Sequence, residues 1–376
     1  MTPLETAAGV PLGAEPGVVT LVRERSQPSA RHALEEAMKR ALQQSPCVVS
    51  FSGGRDSSAT LALAAYVARR DGLPLPIPVT FRFPEIPSTH ETEWQELVIR
   101  HVGLDEWERI DLTDELDLLG DTATAGLLKH GVGWPPNAYL HVPIFRVARG
   151  GCVVTGFDGD GLFGDWRWCH AQAALHGRTA FAAKDLVRIG LAFAPPAIRL
   201  SSIKRRPYFV PNWLQPDARQ EFTRAILNRA AGEPRRWDRR VEWHANSRAL
   251  FVAMSNLGLI AADYEVRVEH PLLDPDFLSA LAAEGGAVGF GDRTSSMAHL
   301  FSDLLPVQSI SRSTKAEFGG AVWREGARHF VDTWDGTGVD PSLVDADRLR
   351  AAWSADNPVI HSWSLLHAAW LATQLK

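Results

Sequence analysis

The spacing of apolar and polar positions gives the chain two textures. Between residues 29 and 156, short apolar runs alternate with amphipathic stretches. Ser29 precedes a segment in which Ala30, Ala33, Leu34, Ala37, Met38, Ala41 and Leu42 recur at three- and four-residue intervals, which predicts a capped helix with one buried stripe. Pro46 ends it. "CVVSF" (Cys47–Phe51) is apolar almost throughout, as strands covered on both faces are. A helix from about Ser57 to Arg70 follows, then a strand, "IPVTFRF" (Ile77–Phe83). Ser88 and Glu91 stand at capping-box spacing ahead of another helix. "WERIDL" (Trp107–Leu112) and "GCVVTG" (Gly151–Gly156) read as two further strands, with a helical stretch near Asp121–His130 between them. Strands alternating with helices predict an α/β fold with a parallel sheet covered on both faces.

Beyond Trp168 the pattern turns helical, with Pro-rich breaks. Near the end, "HSWSLLHAAWLATQL" puts Trp363, Leu366, Trp370 and Leu371 on one helix face. Residues 1–28 form an N-terminal extension rich in Pro and Gly, with one strand-like run, "GVVTLV" (Gly17–Val22). The expected organisation is therefore this extension, an α/β domain over 29–170, and a mostly helical part over 171–376 packed on the same core. No internal repeat or low-complexity tract occurs.

Composition narrows the function classes. A net charge of −5 and a pI near 6.2 lack the basic excess of a dedicated nucleic-acid binder. No apolar run is long enough to cross a bilayer, and the first residues have neither a basic start nor an apolar signal core. Cys47, Cys152 and Cys169 show no ligand spacing, so they are expected as reduced, mostly buried thiols in a cytoplasm. The basic clusters "IKRRP" (Ile203–Pro207) and "EPRRWDRR" (Glu233–Arg240) read as faces balanced by nearby acids. Most of the 13 tryptophans are expected in the core or rim of the helical half. His141, His170, His270 and His299 have no metal-ligand spacing and are assigned no role.

The chemistry concentrates in "SFSGGRDSSATLALAA" (Ser50–Ala65), a turn between a buried strand and a helix. Ligands of an open parallel sheet sit beyond the carboxyl ends of its strands, where a helix also presents free N–H groups and its positive dipole end. Gly53 and Gly54 allow close approach of backbone to an anion, and the Ser52 and Ser57 hydroxyls can donate to phosphate oxygens. Asp56 would repel a phosphate unless Mg2+ lay between them. The turn suits a polyphosphate with a metal, and it is not a Walker loop, since no GxxxxGK[ST] occurs.

"SGGRDSS" resembles the pyrophosphate loop (PP-loop) of the ATP pyrophosphatases. "TGFDGDGLFGDW" (Thr155–Trp166), "YEVRVEHPLLDPDFLSAL" (Tyr264–Leu281) and "LPVQSISRSTKAEFGG" (Leu305–Gly320) are similar, in order, to later motifs of asparagine synthetase-type domains. The Arg312-x-x-Lys315-x-x-Phe318 spacing and the tail "VDADRLRAAW" resemble the lasso-peptide macrolactam synthetase branch, related to the β-lactam synthetases.

This resemblance implies an adenine-nucleotide α-hydrolase-like core and an ATP-dependent, AMP-forming carbon–nitrogen ligase. Ser50, Ser52, Gly53, Gly54, Asp56, Ser57 and Ser58 would cradle the pyrophosphate, and Asp56 and Asp160 would hold Mg2+. Lys315 would act on the α-phosphate, and backbone of Val79–Phe83, with Thr80 and Phe81, would meet the adenine together with Gly156. Arg312 is left between supporting a phosphate and pairing with an acid. Substrates would be a small-molecule or peptide carboxylate and an amine or ammonia, and a partner protein could deliver either.

Some positions depart from the family pattern. Phe157 replaces an acid or Tyr and has no proton to move. Gly161 stands where an acid follows Asp160, and Asp158 where a glycine is usual, so a shifted carboxylate is one reading. Residue 2 is Thr rather than Cys, and only residues 1–46 precede the first strand, so no glutaminase domain is expected. Two other functions share the loop: a tRNA-modifying PP-loop enzyme, and a non-catalytic nucleotide-binding subunit.

Overall fold

The computed structural model describes residues 1–22, 28–164, 166–177, 183–195, 198–200, 209–314 and 316–374. Five strands form one parallel sheet: β1 (Cys47–Ser50), β2 (Ile77–Arg82), β3 (Glu108–Asp111), β4 (Cys152–Val154) and β5 (Arg267–Glu269). Their order is β3–β2–β1–β4–β5. The first four lie within the runs that predicted them, and the α/β class holds. β5 was not expected. "RVE" is too short and too charged to show a strand period, and its register comes from β4, where Cys152, Val153 and Val154 pair with Arg267, Val268 and Glu269.

The mostly helical half thus donates an edge strand to the sheet. The core crosses in the same way. Val49, Leu61 and Cys152 share one buried cluster with Trp237, Leu278 and Phe301. Cys47 and Cys152 are buried side by side on β1 and β4, as small apolar residues.

The helix Ala30–Leu42 forms as its pattern demands. Ser29 Oγ accepts from the His32 N–H at 3.1 Å, and all seven stripe residues are buried. Asp121–His130 is also helical. The helix after the turn spans Arg55–Asp71, beginning two residues earlier than its apolar period suggested.

Two local expectations fail for tertiary reasons. "GVVTLV" forms no strand, because side chains satisfy its backbone. Asn246 bonds both the N–H and the C=O of Val19, and Ser279 Oγ accepts from the Val22 N–H. The Ser88–Glu91 capping box does not form either. Pro87–Thr89 is a single 3-10 turn, and the helix starts at Thr92 after Glu91, whose carboxylate makes no capping bond. That carboxylate pairs with Arg312 instead.

The terminal helix Trp363–Gln374 buries Trp363 and Leu366 as expected, but Trp370 only in part, and it also buries Ser364 and His367. "EPRRWDRR" is neutralised locally, since Arg236 pairs with Asp238 while Arg167 and Arg240 meet Glu233. "IKRRP" lies outside the described residues. Among the described residues no helix is long and apolar enough to cross a membrane.

Candidate active site

The chain leaves β1 to build β2 and β3 on one side, then returns to build β4 and β5 on the other. At such a switch point the connections part and open a crevice beyond the strand ends. Here a cleft of about 770 Å³ opens. Ser50, Ser52, Gly54, Asp56 and Ser57 line it from β1, and Thr155, Gly156, Phe157 and Asp160 from β4.

Gly53 has φ +84°, a conformation costly for any residue with a Cβ. An added Cβ there would also lie 2.8 Å from Gln95 Cγ. Gln95 Nε2 donates to the Ser52 carbonyl at 3.1 Å and braces the turn from the helix Thr92–Val102. Ser52 Oγ and Ser57 Oγ lie 3.1 Å apart, and Ser57 Oγ also donates to Gly54 O. No side chain caps the helix Arg55–Asp71, so its first amides face the cleft end uncapped, as an anion site requires.

The Asp56 carboxyl is perturbed upwards. Burial and the nearby Asp160 charge push its pKa above the ordinary range, against the pull of Arg293, whose Nη2 donates to Asp56 Oδ2 at 2.7 Å. The other oxygen, Oδ1, is buried without a hydrogen-bond partner. An orphaned carboxylate oxygen beside a second carboxylate fits a divalent cation. Among the described residues no group of three or more His, Cys, Asp or Glu is placed to hold a metal, so such a cation needs further oxygen donors, as Mg2+ takes from phosphates.

Three guanidinium groups that sequence reasoning assigned no firm site role line the cleft, two of them beside this carboxylate. Arg55 and Arg293 flank it, and burial together with the Arg293 charge lowers the Arg55 pKa. Arg312 is buried, donates to Gly53 O at 2.9 Å and pairs with Glu91, the acid-pairing arrangement, while it also lines the cleft. Arg55 is the cation within "SGGRDS" itself, but Arg293 lies in no motif.

Other expected residues fall elsewhere. Ser58 is fully buried within its helix and does not line the cleft. Thr80 is buried, donating to Phe51 O at 2.7 Å and accepting from Trp107 Nε1 at 3.0 Å, and it lines neither cleft. Phe81 borders a neighbouring cleft of about 270 Å³ with Phe83, and Glu91 borders both clefts. Lys315 lies outside the described residues, though Thr314, Ala316 and Phe318 around it line the main cleft.

The departures acquire structural reasons. A Cβ on Gly161 would lie 2.4 Å from Asp158 Oδ1 and 2.8 Å from His244 Nε2. The acid absent at 161 has no room, because the Asp158–His244 pair at 2.7 Å occupies that space. Asp158 is thereby engaged and does not line the cleft. His141 and His270, assigned nothing from spacing, both line it. Burial lowers both pKa values, that of His270 to about 4, so both rings are neutral at pH 7.

No curated protein matches this sequence. The family model described as asparagine synthase matches residues 29–373, from the first helix of the core to the last. With a pyrophosphate-type turn and paired carboxylates at the switch point of a parallel sheet, the chain belongs to the asparagine synthase family, whose members are ATP-dependent amide-forming ligases.

Proposed function

We propose that this protein activates a carboxylate with ATP as an acyl-adenylate and passes the acyl group to an amine, releasing AMP and pyrophosphate. The observation that supports this most is the placement of Asp56 and Asp160 on the two strand ends that flank one uncapped helix N-terminus.

In this reading the β- and γ-phosphates lie on the Ser52–Ser57 turn beside Arg55 and Arg293, and the adenosine extends towards Phe81 and Phe83. Asp56 and Asp160 would hold Mg2+, which would offset phosphate charge. A carboxylate oxygen attacks the α-phosphorus, and the bond to the bridging oxygen of pyrophosphate breaks. Lys315, from its motif position, would neutralise the charge that builds on the α-phosphate. The amine nitrogen then attacks the acyl carbon, the bond to AMP breaks, and the amine gives up a proton.

Phe157 offers no base to accept that proton, a departure from the asparagine-forming pattern that favours an amine of the substrate itself, or one delivered by a partner protein. If both groups belong to one molecule, as in a macrolactam of natural-product assembly, holding them together replaces much of the entropic cost.

Pyrophosphate exchange into ATP, driven by a carboxylate, tests the reading. Asp56→Asn and Asp160→Asn should each lower exchange about a hundredfold while leaving the thermal melt near wild type. ADP as the product in place of AMP would overturn it.

A further inference from the structure

The cleft has two kinds of wall. Its charged residues come from the turn, the α-helical start at Asp160, and residues 91, 292–293 and 312. The wall beyond β4 and β5 is built from Pro135, Ala138, Phe157, Ala253 and Leu257. Of the titratable groups lining the cleft, His141 and His270 come from the same turn and strand end as this wall, and burial keeps both uncharged, while Asp160, three residues beyond Phe157, is assigned to the cation in the ligase reading. These pieces are contiguous. The turn Pro136–His141 packs on the helix Arg248–Ala262, Ala138 and Leu257 share a buried cluster, and the Phe157 ring lies 5.4 Å from that of His270.

We propose that this annex holds the uncharged apolar or aromatic group of the carboxylic acid that the protein activates, so its acyl donor is an apolar acid rather than free aspartate. The inference rests on the ligase reading above. Aspartate would bring an ammonium and a second carboxylate into a wall with no charge to pair them, and an unpaired buried charge is far costlier than an apolar group placed there is favourable. Phe157 reinforces the point, because it puts a ring with no ionisable or hydroxyl group where the family resemblance expects an acid or Tyr. The Thr155 hydroxyl, which bonds both the Phe157 N–H and His270 Nδ1, is already engaged by the protein.

The test compares pyrophosphate exchange with N-acetyl-leucine, N-acetyl-phenylalanine and 3-phenylpropionate against aspartate and glutamate, with ATP affinity measured separately by calorimetry. Apolar acids should show kcat/KM about tenfold or more above aspartate. Ala253→Leu, which fills the annex, should cut their exchange about tenfold with ATP affinity unchanged. Leu257→Ala, which widens it, should shift preference to the larger acids, and it decides the matter should Ala253→Leu fail to bind ATP. Equal or faster exchange with aspartate or glutamate would overturn the inference and leave the ligase reading standing. Exchange with no acid, while ATP still binds, would remove the ligase reading itself.

Discussion

Arg312 fastens the Ser52–Ser57 turn from outside it. Its guanidinium donates to Gly53 O, pairs with Glu91 and lies 4.7 Å from the centre of the Trp94 ring, while its own carbonyl accepts from Arg55 Nε. Removing one member of a buried pair strands the other charge, at about 3–5 kcal/mol. Arg312→Met should therefore lower stability by that order in denaturant melts, and adding Glu91→Leu should recover much of the loss. The pair also explains a misreading. Ser88 and Glu91 carry the letters of a capping box, yet the partner that claims Glu91 lies 221 residues away, beyond any local pattern. His141 and His270 were hidden for the same reason, since only the meeting of the Pro136–His141 turn with the end of β5 makes them neighbours.

At the level of elements, the end of β4 and the start of the helix Arg55–Asp71 touch backbone to backbone. A Cβ on Gly156 would lie 2.7 Å from the Asp56 carbonyl carbon and 2.8 Å from the Ser57 nitrogen. Neither atom belongs to a side chain that can swing aside. Gly156→Ala should push the turn away from β4 and weaken ATP binding about tenfold or more by calorimetry. Elements with a strong internal period were legible from sequence: the striped helix Ala30–Leu42 and the apolar strand at Cys47 follow from local burial alone. β5 was not, because one exposed and two half-buried residues have no period to read, and pairing with β4 is what makes them a strand.

Across the whole molecule, buried neutral imidazoles set a pH dependence. Burial holds both His270 and His367 to a pKa of about 4. Folded values below the unfolded value near 6.5 mean that the unfolded chain takes up protons first as pH falls. Their contribution is complete above about pH 6.5 and is lost between there and about 4, at about 1.4 kcal/mol per pH unit for each ring. Asp56 and Asp117, whose carboxyls burial raises, act in the opposite sense at the upper edge of the carboxylate range. Melting temperature should be level from pH 8 to 7 and fall steadily below 6.5. His367→Phe should remove one proton from that slope, as potentiometric or calorimetric titration of unfolding would read.

The late arrival of β5 bears on how the protein is made. Once Cys152–Val154 has left the ribosome the first four strands are out, and β4 presents a bare row of amides and carbonyls until Arg267–Glu269 emerges. A nascent chain in that interval carries an open sheet border able to capture another copy, so slow decoding between these strands is the period in which aggregation competes most directly with folding.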